Sequence, residues 1–169
     1  MQHELNPEKN EKSGSDASYE ILHGRIKKVL ENYSNVHRGN GYKSQVTTHL
    51  YEKARETVLS FLHLSPAKYI VIFCSRYRAG KITANIGKND FKVISSADFG
   101  IPLGVYAVAM KKKALSRNIL FIAGGGTTRL YSKNWIIHNG FPDFYEAGTP
   151  AIINCIAFAI ILKMNYKSD

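Results

Sequence analysis

The chain predicts an α/β fold, and three features carry that expectation. Two apolar stripes repeat at helical spacing, one from Tyr19 to Tyr33 and one from Val46 to Leu62. Tyr69–Cys74 (YIVIFC) is a continuous apolar run of the kind buried in a parallel sheet. Asp90–Ala109 (DFKVISSADFGIPLGVYAVA) reads as two short strands, Phe91–Ser95 and Gly104–Ala109, with apolar residues at every second position. Between them Ser95-Ser96-Ala97-Asp98 closes the first strand, where open α/β sheets place ligand chemistry. Gly100, Pro102 and Gly104 then turn the chain back.

Length and composition set the outer limits. A chain of 169 residues suits one domain with a real core. The two cysteines, Cys74 and Cys155, each sit inside an apolar run, which points to buried free thiols of a reducing compartment. Residues 1–18 are polar and lack periodic apolar positions, so a disordered leader is expected there and no secretion signal. The longest apolar run, Ala151–Leu162, is shorter than the roughly 20 residues a membrane span needs. The expected location is cytoplasmic, with no membrane partner. A net charge of +10 raises the question of nucleic acid. The basic groups Lys27-Lys28, Arg76/Arg78/Lys81 and Lys111–Lys113 are scattered, however, and form no zinc-finger, RNP or KH signature. Nucleic acid is therefore not the expected partner.

The elements follow in order. Tyr19, Leu22, Ile26, Val29, Leu30 and Tyr33 form the first helical stripe, which Gly24 weakens without ending. Gly39 and Gly41 mark a loop, and Ser44 is the expected N-cap of the second helix. There Val46, Leu50, Ala54, Val58 and Leu62 recur every fourth residue, Tyr51 and Phe61 widen the stripe, and Glu52, Lys53, Arg55 and Glu56 fill the wet face. Lys111–Ser116 reads as a short basic helix or turn, Ile119–Ile122 (ILFI) as a strand, and Arg129–His138 as strand-rich. The run Gly124-Gly125-Gly126 can present N–H groups to a phosphate. Thr149 is the expected N-cap, and Pro150 the first-turn residue, of the apolar helix Ala151–Leu162.

Several of these stretches together resemble the class V aminotransferases, the pyridoxal-phosphate (PLP) enzymes that include the cysteine desulfurases. Tyr33–Gly39 (YSNVHRG) is similar to the family's Y-x-N-V-H-R-G, and Tyr51–Phe61 to its Y-E-x-A-R-E-x-V-x-x-F helix. Gly124–Thr127 (GGGT) resembles a G-G-G-[TS] segment, and Asp143–Pro150 (DFYEAGTP) resembles F-E-A-G-T-P. Asp90–Ser95 matches the D-F-x-V-F-S strand that precedes G-H-K, whose lysine forms the Schiff base with PLP. In that alignment the family's Ser falls on Ser95, its Gly on Ser96, its His on Ala97 and its Lys on Asp98.

The resemblance implies a remnant of the fold-type I PLP transferase large domain over residues 19–169. That remnant is a mixed, mostly parallel sheet flanked by helices, with the small C-terminal domain and its persulfide-cysteine loop absent. Ser75-Arg76-Tyr77-Arg78 stands where the family has its R-G-T-T phosphate turn, although Arg76, Arg78 and Lys81 could attract an anion. Ile82–Asn89 is too short for the strands that carry the ring-stacking residue and the ring-nitrogen carboxylate, which implies an internal deletion. No catalytic residue is then expected, since Asp98 cannot form an imine. The cofactor by resemblance is PLP, with Thr149, Gly125, Gly126, Thr127, His37 and Arg38 as the positions that would hold it, and no metal. A homodimer, or a heterodimer with a full-length relative, is implied because the family places its GGGT and GTP elements at the dimer interface. The alternatives to a degenerate enzyme are a non-catalytic interaction partner and a basic anion or nucleic-acid binder.

Overall fold

The computed structural model describes residues 14–34, 41–115, 125–148 and 150–166. Its centre is a three-stranded sheet of β1 (Tyr69–Cys74), β2 (Phe91–Ser95) and β3 (Tyr106–Lys111), ordered β1-β3-β2. The link from β2 to β3 is shorter than the dozen or more residues that a parallel neighbour requires, so the two pair antiparallel. From β1 the chain passes through helix α3 (Arg76–Thr83) to β2, leaving space for one strand between them. β3 fills that space and runs against both neighbours. The result is a split β-α-β unit in which β1 and β2 are parallel but not adjacent.

The expectation of a mostly parallel sheet is therefore corrected: every bonded strand pair among the described residues is antiparallel. The apolar run of β1 has a different cause. Val71 and Phe73 pack on one face against α2 (Tyr42–Phe61) and α4 (Ile152–Tyr166), while Ile72 packs on the other against Ala79 and Ile82 of α3. Burial on both faces makes the strand apolar throughout, whatever the direction of its neighbour. In β3, Ala107 and Ala109 face α2 and α4, where their small side chains let the helices approach closely, and Val108 and Met110 face α3.

Helix α1 (Gly14–Glu31) begins ahead of Tyr19, inside the stretch read as leader. Of its stripe only Leu22 is buried, and Tyr19, Leu30 and Tyr33 are exposed. The N-cap of α2 is Gly41, while Ser44 lies buried within the helix. Thr47 joins the two helices by accepting the Ser34 N–H at 3.0 Å. Strands β4 (Thr128–Ser132) and β5 (Trp135–His138) form a separate hairpin with an irregularity between Thr128 and Leu130. The segment after it wraps the edge of the main sheet: Phe144 and Tyr145 pack on the α3 side, whereas Ile152 and Cys155 pack on the α2 side.

Candidate functional site

A cleft of about 370 Å³ opens where β1 ends and the chain enters β3, within the size range of small-molecule sites. Phe73, Cys74 and Ser75 form one wall and Gly104-Val105, entering β3, another. The wrapping segment closes it with Glu146, Ala147 and Pro150.

Glu146 holds that segment in place. Its carboxylate accepts from Tyr51 Oη at 2.8 Å, from Arg55 Nη1 and Nη2 at 2.7 and 2.8 Å, and from the Phe73 N–H at 2.7 Å. Arg55 Nη1 also donates to Val71 C=O at 2.6 Å, and Nε to Glu52 at 3.2 Å. The guanidinium lies 4.7 Å from the Tyr51 ring centroid and 5.5 Å from that of Phe73. Tyr51, Arg55 and Glu146 are all buried. A bidentate pair with the remaining lone pairs satisfied is the arrangement that offsets burying two charges. Burial opposes the charge on Arg55, but Glu146 more than reverses this and the pKa rises. Burial raises the Tyr51 pKa, and the Glu146 charge adds to it, so the phenol stays protonated and donates.

The polar lining is completed by Arg78 and two thiols. Arg78 Nη1 donates to Ala147 C=O at 2.7 Å, tying α3 to the wrapping segment. Burial, reinforced by the Glu146 charge, pushes the Cys74 thiol up to about 12. Burial and the same carboxylate raise the Cys155 thiol too. Both cysteines are free, and both line the cleft in the protonated form, which is a poor nucleophile.

Asp98 and Ala97 sit in a turn of 3-10 helix, Ser96–Phe99, at the end of β2 and are exposed. The Asp98 carboxylate accepts the Ser95 N–H at 2.7 Å, and Ser95 reciprocates in a capping box. Gly100 follows in the left-handed region at φ 74°, ending the turn. Gly125, Gly126 and Thr127 lie against the wrapping segment, with Gly148 N–H donating to Gly125 C=O at 2.7 Å. At Gly126, φ is +90° and a Cβ would sit 3.8 Å from the carbonyls of Glu146 and Gly148. The glycine turn thus packs on the segment that carries Glu146 and Ala147, and Gly125, Gly126 and Thr127 do not line the cleft. His37, Arg38, Thr149 and the ILFI segment fall outside the described residues.

Sequence reasoning missed Arg55, which it placed on the wet face of α2. The signal available was spacing: Arg55 follows Tyr51 by four residues and precedes Val58 by three, so it borders the apolar stripe. Among the described residues no group of three or more His, Cys, Asp or Glu side chains is placed to hold a metal. None of the described helices is long and apolar enough to cross a membrane.

The fold is similar to that of a cysteine desulfurase. The apo structure of the enzyme from Thermococcus onnurineus NA1 superposes with a TM-score of 0.72 and 14% sequence identity, over 88% of this chain. This chain spans 64% of that protein's length. No family model matches the sequence, and no curated protein does.

Proposed function

We propose that this chain is a cysteine-desulfurase-like protein of the class V aminotransferase kind that does not carry out covalent PLP chemistry. Asp98 is the observation that carries the reading. It stands where the resemblance puts the Schiff-base lysine, and its carboxylate is committed to the Ser95 N–H. Aspartate has no amine to condense with an aldehyde, and its charge repels a phosphate. No lysine is among the described residues that line the cleft. The residues present thus do not fit PLP as a covalently held coenzyme, and the cleft is suited to a small molecule held by contacts alone.

Titrating the purified protein with PLP and reducing with borohydride tests this. No lysine is expected to carry the reduced adduct. Stoichiometric labelling of one lysine, such as Lys81, Lys88 or Lys92, would overturn the reading.

A second role, as a non-catalytic partner of another copy or of a full-length relative, is favoured by the β4–β5 hairpin. Leu130, Tyr131, Trp135, Ile136 and Ile137 all lie exposed on it, an apolar surface that is costly to leave wet. Trp135→Glu is expected to shift a dimer toward monomer in sedimentation, and a wild-type chain that is monomeric alone and with a relative would contradict this role.

A further inference from the structure

The two outer edges of the main sheet are finished differently. In β1, Val71 and Phe73 direct their backbone groups away from β3, and the side chains of Arg55 and Glu146 occupy the Val71 C=O and Phe73 N–H. The Tyr69 N–H is taken by Ser65 C=O at 3.0 Å. This edge is sealed. In β2 the direction follows from Ser96, whose N–H bonds inward to Val105 C=O at 3.0 Å. Ser95, Val93 and Phe91 therefore point outward. Among the described residues only the Ser95 N–H has a partner on that side, the Asp98 carboxylate. The outward N–H and C=O of Val93 have no partner among the described residues, and its side chain is 39% exposed.

Charge narrows what can complete this edge. Lys88 and Lys92, just before and within β2, are exposed. Of the nearby carboxylates, Asp90 is engaged by Lys111 at 3.0 Å and Lys113 at 3.7 Å, and Asp98 sits at the far end of the strand on the Ser95 N–H. A second copy pairing through the same strand would bring its own exposed Lys88 and Lys92 to the same place. An acidic strand meets the exposed lysines favourably and fills the open ladder.

We infer that the outer edge of β2 is a strand-addition site for an extended acidic segment of a partner polypeptide. Main-chain hydrogen bonds to Phe91 and Val93 supply most of the affinity, and Lys88 and Lys92 select for acidic sequence. This inference is independent of the PLP reading.

The test uses the full chain and a fluorescent heptapeptide alternating Glu with Val or Thr, read by anisotropy and by amide hydrogen exchange. Peptide is expected to slow exchange at Val93 and Phe91. Val93→Pro, which removes the central donor at an edge position that tolerates proline, is expected to weaken binding about tenfold. Lys92→Glu is expected to weaken it severalfold, as is raising the salt concentration. Absence of peptide binding overturns the inference, as does binding that Val93→Pro leaves unchanged, which would mean charge attraction alone. So does a Val93 amide already slow in dilute protein, which would mean the chain covers its own edge. Protection that appears without peptide and grows with protein concentration would assign the edge to a second copy and overturn it equally. The exchange map of the wild-type protein decides these cases even if Val93→Pro fails to fold.

Discussion

At the β1 edge a buried arginine and glutamate take the backbone groups that a neighbouring strand would otherwise use, and the same glutamate forms a wall of the cleft. At the β2 edge an exposed aspartate takes the Ser95 N–H, and among the described residues nothing pairs with the outward groups of Val93. The contrast shows two ways of ending a sheet. Charged side chains packed across an edge block strand addition, and they lock the wrapping segment to the sheet. A terminal cap only finishes the strand. In this protein the cap, Asp98, is also the residue that stands at the expected lysine position.

The sealed edge is where the largest effect is expected. Glu146→Ala leaves the Arg55 guanidinium buried without its carboxylate and should cost about 3–5 kcal/mol in urea unfolding. Replacing both partners, as Arg55→Met with Glu146→Leu, should recover much of that loss, because neither charge is then buried alone. At the open edge the changes are smaller. Asp98→Ala removes one capping acceptor and should cost about 1 kcal/mol. Val93→Thr, on a half-exposed edge position, should stay within about 0.5 kcal/mol.

Alkaline pH probes the cleft side again. The Cys74 thiol is held up to about 12 in the folded protein, while an unfolded thiol ionises near 8.5. The unfolded chain therefore sheds this proton first. Stability is intact below about pH 8.5 and falls as pH climbs toward 12. Cys155 and Tyr51, also raised, steepen the fall. Cys74→Ala should flatten part of it, measured as urea midpoints across that range.

The limits of two strands were legible because local signals agree on them: Tyr69–Cys74 and Phe91–Ser95 end at the residues expected, bounded by turn residues and carrying an apolar pattern that periodicity reads directly. The third, expected at Gly104–Ala109, runs instead from Tyr106 to Lys111, two residues later at each end, because the ladder with Tyr69–Cys74 carries it through Met110 and Lys111. Sheet direction was not legible from the YIVIFC run, since two-sided burial and parallel pairing leave the same apolar signature. Ser44 and Gly41 both suit a helix start, and only the turn geometry chose Gly41. α3 is short and mostly polar, without a stripe to announce it. The burial of Arg55 was the hardest to see, because its partner lies 91 residues away. Gly125 and Gly148 meet through a backbone hydrogen bond, so the glycine turn packs on the segment whose Glu146 and Ala147 line the cleft. Ala97 and Asp98 were placed correctly at the end of a strand, and their capping role was not anticipated.

Backbone amide exchange on dilute, unliganded protein tests the edge asymmetry most directly. The Phe73 N–H, held by Glu146 at 2.7 Å, is expected to exchange only through opening of the domain, while the Val93 N–H exchanges through local fluctuation, orders of magnitude faster. Equal protection of the two amides would contradict the account, since it would mean that β2 is sealed as firmly as β1.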